Sequence, residues 1–274
     1  MKPVLNSIIY SITKKDWKTS VYELLISADL SENLKDHQTI LIKPNLVSKD
    51  PPPITTPVEL VEAIIDFIQE KFPSKNIIIG EGTAMPNDST FEVFKALGYN
   101  LLSTKKGVTL VDLNEADLIH LKNSTLKRLP EIYLPKIAFE CFLISVPVLK
   151  AHSLSKVTLT MKNMLGFPPP KHYQKGGSWK KSSFHENIEE AIFDLNCYRK
   201  PDFSILDATI GMKDAHLWGD TLKPHPNKII ASYDPVALDA FGALVLKKKW
   251  DDIGHIRMAD GILGNVSNTS LQEI

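Results

Sequence analysis

The chain has 274 residues, 43% of them apolar, with Lys plus Arg and Asp plus Glu balanced at 32 each. That length is ample for one large α/β domain or two lobes around a real core. Zero formal charge argues against a general nucleic-acid binder, which carries a basic excess, and leaves room for a local basic patch. In chain order, residues 7–12 read as a first strand and residues 17–28 as an amphipathic helix. Thr39-Ile40-Leu41-Ile42 is an apolar run that stops at Lys43-Pro44-Asn45, followed by a loop with Pro51-Pro52-Pro53. Thr56 as N-cap and Pro57 as first helical residue open a helix to about residue 72. Ile77-Ile78-Ile79 is the next strand, and Gly80-Glu81-Gly82 reads as a tight turn after it, since it lacks the rest of a phosphate-binding loop. A helix over 89–97 closes at Gly98.

Residues 108–134 are less regular and read as short strands in an antiparallel excursion. The strand over 141–146 meets Pro147, which suggests an edge or an exit from the sheet. A helix over 186–198 precedes Phe203-Ser204-Ile205-Leu206, which ends at Asp207. Ile229-Ile230-Ala231 leads to Asp234, and helices over 235–246 and 253–260 follow. Short apolar runs alternating with helices predict an α/β fold with a mainly parallel sheet and helices on both faces. It is read as a single α/β domain, 1–274, with a candidate lobe boundary near 135 that no linker composition marks.

Five runs therefore end in Lys43, Glu81, Lys150 with His152, Asp207 and Asp234, and in open α/β sheets the ligand sits beyond the carboxyl ends of the strands. Lys150 and His152 are two apart and share a face of an extended backbone. Lys162-Asn163 follows them, and Lys43 and Asn45 complete a cluster of three ammonium groups, one imidazole and two amides. Clustered ammonium groups repel unless an anion or nearby carboxylates neutralise them. The expected site is a pocket for a small carboxylate or phosphate, bound by Lys43, Asn45, Lys162, Asn163, Asp207 and Asp239. His152, helped by Lys150, carries the acid–base chemistry. The bland alternative is that each lysine is solvated or salt-bridged.

Asp239 sits in a stretch, 236–246, that is apolar around nearly the whole helical circumference, so it is expected to be buried and to need a partner. A pocket lysine is the first expectation; a backbone amide or a metal are the others. A weaker metal reading gathers His185, Asp207, Asp234 and Asp239, although Asp234-Pro235 is explained equally by an N-cap. Residues 167–184, FPPPKHYQKGGSWKKSSF, carry four lysines and no acid. They are expected to be a mobile basic flap, with Trp179 at its tip, that closes over an anionic ligand.

Cys141 and Cys197 give no disulfide framework, CxxC pattern or iron–sulfur ligand set. Residues 1–15 lack the apolar core of a secretory leader, and no stretch approaches the roughly 18 apolar residues of a membrane span. A reducing, cytoplasmic setting with no nucleic-acid or membrane partner is the expectation.

Several of these motifs together resemble the domain-of-unknown-function family numbered 362. They are Ile42-Lys43-Pro44-Asn45-Leu46, Gly80-Glu81-Gly82, the run from Val146 through Lys150 and His152 to Ser153, and Met161-Lys162-Asn163-Met164-Leu165-Gly166. His185, Leu206-Asp207-Ala208 and the segment from Asp234 to Asp239 also fall in the family's order. The resemblance implies no assigned activity. It does imply an association with iron–sulfur proteins, because a ferredoxin-like cysteine cluster follows the domain in many members. With two cysteines, this chain is expected to bind no iron–sulfur cluster alone, and an electron-transfer role would need a separate iron–sulfur protein partner. The readings left open are an enzyme acting on a small anion, a non-catalytic or redox-accessory ligand binder, and a divalent-metal site.

Overall fold

A computed structural model describes residues 7–274. The first part of the leader reading, residues 1–6, lies outside the described residues. In chain order the elements are β1 (Ser7–Thr13), α1 (Trp17–Ser27), α2 (Leu30–Leu34), β2 (Thr39–Pro44), α3 (Val58–Lys71), β3 (Asn76–Glu81), α4 (Thr90–Ala96), α5 (Tyr99–Lys106) and β4 (Thr109–Asp112). There follow β5 (Leu118–Lys122), β6 (Glu131–Pro135), β7 (Phe142–Val146), β8 (Val148–His152), β9 (Lys156–Thr158), α6 (Thr160–Asn163), α7 (Pro170–Tyr173) and α8 (Ile188–Tyr198). The last are β10 (Phe203–Met212), β11 (Lys228–Ser232), α9 (Pro235–Val245), α10 (Gly254–Ala259) and β12 (Thr269–Glu273).

The main sheet runs β12-β1-β11-β10-β7-β2-β3-β4, with β8 also pairing β10 and β9 attached to β8. Along that path only β11 runs against its neighbours. The apolar runs Ile40–Ile42, Ile77–Ile79 and Leu143–Ile144 are buried on both faces, as parallel strands covered by helices must be. One face packs against α1 and α3 through Val21, Leu24, Leu60 and Ile64. On the other, Leu206, Ala208 and Ile230 pack against α8, α9 and α10, while Leu41 and Leu143 join a third cluster under α8. The pairing of β2 with β7 puts residues on either side of position 135 in one sheet.

Four local expectations change. β3 continues through Gly80 and Glu81, so these residues are strand rather than turn. Gly80 packs tightly there: a Cβ would lie 2.8 Å from Leu41 Cδ1, which would have to shift. Helix α3 begins at Val58 behind Pro57 with no side-chain cap. The Thr56 hydroxyl is used instead to accept from Asn45 N at 2.8 Å and donate to Val146 O at 2.7 Å, tying the ends of β2 and β7 together. The antiparallel excursion shrinks to the β5–β6 pair, because β4 joins the main sheet in parallel. Pro147 marks a break rather than an exit: it separates β7, between β2 and β10, from β8, which stays paired with β10 and on which β9 turns back antiparallel. Among the described residues, no helix is long and apolar enough to cross a membrane.

Candidate functional site

At the carboxyl edge of the sheet lies a cleft of about 280 Å³, on whose lining Lys43, Asn45, Lys150, His152, Lys162 and Asn163 converge. β2 supplies Lys43 at its end, β8 supplies Lys150 and His152, and α6 supplies Lys162 and Asn163. Lys43 is fully buried, and its Nζ donates to both Glu81 carboxylate oxygens at 2.8 Å and to Asn163 Oδ1 at 3.2 Å. Glu81 also accepts from the amides of Leu46 at 3.0 Å and Gly82 at 2.8 Å. Burial pulls the Lys43 ammonium down from its ordinary pKa, and Glu81 opposes that pull. Gly166 lies so close to this pair that a Cβ there would overlap it.

Lys150 donates to Asn45 Oδ1 at 2.8 Å and to Ile54 O at 2.6 Å, so its partners are neutral. Burial, and then repulsion from Lys162, bring its pKa to about 7. Lys162 is half-buried, and its Nζ forms no hydrogen bond or ion pair with any described residue. Burial lowers its pKa to about 8, with Glu189 acting against this through space. Lys181, buried in the same wall, donates to Gly82 O at 2.9 Å and Gly166 O at 2.6 Å, and burial brings it to about 7.

The hydrogen bonds of His152 define its tautomer. Nδ1 accepts from the amides of Leu154 at 3.1 Å and Ser155 at 3.2 Å, so the neutral ring carries its proton on Nε2. Burial first, then the charges of Lys162, His216, His185 and Lys150, push its pKa far below the ordinary value. A ring held in this way is an N–H donor and a poor proton acceptor, which changes the expected acid–base role. His216 stacks on it with centroids 4.2 Å apart, and burial takes His216 to about 3.

Two acids placed in the pocket from the sequence lie elsewhere. Asp207 alternates along β10 onto the face of Phe203 and Ile205, in the cluster under α1 and α3, and its Oδ1 accepts from Thr209 N at 2.9 Å. Asp239 is fully buried but meets no lysine. Its two oxygens accept from the amides of Thr160 at 2.7 Å and Met161 at 2.9 Å, which fixes the start of α6 and hence Lys162. Burial raises its pKa to about 6. Removing this acceptor strands two buried amides, so Asp239→Ala should cost about 1–3 kcal/mol. Thermal unfolding with chelator present measures this, and an unchanged midpoint would contradict it. Asp234 is the N-cap of α9, accepting from Val236 N and Ala237 N, while its other oxygen accepts from Asn265 N at 2.7 Å. His185 lines the cleft, but His185, Asp207, Asp234 and Asp239 do not come together, and no group of three or more possible ligands forms among the described residues.

The segment 167–184 is more tethered than its composition predicts. Phe167, Phe184 and Lys181 are buried, α7 forms within it, and His172 stacks on Tyr133 at 4.0 Å. Lys181, His216 and Trp218 are cleft residues that strand-end reasoning did not select. The signal for the last two was a pair of aromatic side chains, His216 and Trp218, in an irregular stretch after a strand. Both cysteines are free, and burial raises Cys141 to about 12 and Cys197 to about 11.

A mostly parallel α/β sheet with a lysine-rich cleft at its carboxyl edge is the class these features define. The chain belongs to the family described as Domain of unknown function (DUF362), which matches residues 40–244. No curated protein sequence matches it. A solved structure, the lactate racemase apoprotein from Thermoanaerobacterium thermosaccharolyticum, aligns with 86% of this chain at 15% identity and a TM-score of 0.48. The chain spans 56% of that protein.

Proposed function

We propose that the cleft binds a small anionic substrate, a carboxylate or phosphate, as part of an enzyme active site. The supporting observation is its charge balance. Four lysines line it, Lys43, Lys150, Lys162 and Lys181, against one carboxylate, Glu81, which is already committed to Lys43 and two amides. The other three ammonium groups have neutral partners or none, and burial depresses all three. An anion relieves that penalty. In this reading Lys150 and Lys162 hold the anion and His152 donates Nε2–H to it.

The test is proton-linked binding of sulfate, which does not itself titrate near neutrality. Between the free values of about 7 to 8 and the ordinary lysine value the empty cleft is partly deprotonated, and a bound dianion raises those values again. Calorimetry at pH 8 in two buffers of different ionisation enthalpy should show net proton uptake, and affinity should fall as pH rises from about 7. Sulfate binding without proton uptake, or none at all, would remove the proposal.

A further inference from the structure

The cleft has two chemically unlike ends. Its floor is cationic, while its mouth carries Leu154, Leu217, Trp179 and Trp218. Leu154 is 56% and Trp218 63% exposed, although large apolar side chains gain most from cover. The two indoles reach the mouth from opposite flanks. Trp218 follows β10, two residues after the His216 that stacks on His152. Trp179 lies beside the end of β3, where the amide of Lys180 donates to Ala84 O at 3.1 Å. Between β10 and β3 stand only β7 and β2. One wall is itself a ladder of rings: His152 to His216 is 4.2 Å between centroids, and His216 to Trp218 is 6.5 Å.

We infer that the ligand of this cleft joins an anionic group to a planar aromatic body, the class of aryl phosphates and aryl carboxylates. The inference rests on the anion site proposed above and names what that anion is attached to. A bare anion would leave both indoles and the leucines uncovered, and an uncharged apolar ligand would leave three ammonium groups without a counter-charge. The ring ladder favours a flat body over an alkyl chain, since stacked or edge-on rings gain beyond the area they cover.

Calorimetric titration with inorganic phosphate, phenyl phosphate and hexyl phosphate at pH 8 tests it. Phenyl phosphate is expected to bind about tenfold more tightly than inorganic phosphate, and more tightly than hexyl phosphate. In Trp179→Ala and Trp218→Ala the ratio of phenyl to inorganic phosphate affinity should fall towards one, and Trp218→Phe should keep part of it. Circular dichroism on each variant establishes that it is folded. A ratio near one in the unmutated protein, with phosphate still bound, overturns the aromatic body and leaves the anion site standing. So does hexyl phosphate binding as well as phenyl phosphate, or a preference that survives both alanine variants. If no phosphate binds, the anion site falls and this inference with it.

Discussion

Glu81→Gln is expected to destabilise the protein by about 3–5 kcal/mol, the usual cost of breaking a buried ion pair from one side. Lys43 is fully buried and Glu81 nearly so, and the carboxylate answers the ammonium with both oxygens at 2.8 Å. Glutamine keeps the shape but presents an N–H₂ where one oxygen accepted, while the amides of Leu46 and Gly82 compete for the oxygen that remains. Lys43 must then stay charged without a counter-ion or lose its proton in a site where burial already favours the neutral amine. The double variant Lys43→Met, Glu81→Gln should recover much of the loss, because no buried charge is left uncompensated. Urea unfolding of both variants and of the unmutated chain measures both quantities. A single variant within about 1 kcal/mol of the unmutated chain would mean the pair is far better solvated than its burial implies.

How much of this site the sequence revealed depends on the kind of contact involved. Lys43 and Lys150 were legible because a buried parallel strand carries a polar side chain most readily where it leaves the sheet, and that edge is where ligands sit; Asn163, on α6, was legible only through its neighbour Lys162. Asp207 looked like a strand end in the sequence, yet β10 runs on to Met212, and strand alternation turns Asp207 onto the opposite face from Leu206, towards α1 and α3. Burial of Asp239 followed from the apolar helix around it, but its partners did not. They are main-chain amides of α6, whose approach depends on tertiary packing that no residue identity records. Within the basic stretch 167–184, Lys181 was hidden as a cleft residue for a related reason. Lysine is mostly exposed on average, and only the fold places the carbonyls of Gly82 and Gly166 where Lys181 can be buried against them. The tautomer of His152 is fixed by the tight turn after β8, again a matter of backbone rather than side-chain pattern.

Lys162→Met should separate stability from binding by moving them in opposite directions. The substitution keeps an unbranched, flexible side chain and removes a half-buried ammonium that has no partner among the described residues. Without an anion the folded protein loses a desolvation penalty, so its melting midpoint should stay the same or rise. Sites kept for function commonly carry such a cost. With sulfate as ligand, the loss of one charge-assisted contact should weaken affinity roughly 10- to 100-fold. Lys162 also depresses its neighbours: its charge lowers Lys150, His152, His185 and His216. Removing it should therefore raise the titration midpoints of His185 and His216, which nuclear magnetic resonance of the imidazole protons follows directly. For Lys150 the remaining causes, burial against the attraction of Glu81, predict a value above the present one of about 7. A structural lysine would give the reverse pattern, with a lower melting midpoint and unchanged histidine titrations. Unaltered sulfate affinity in a folded Lys162→Met protein would show that the unpaired ammonium is not what holds the anion.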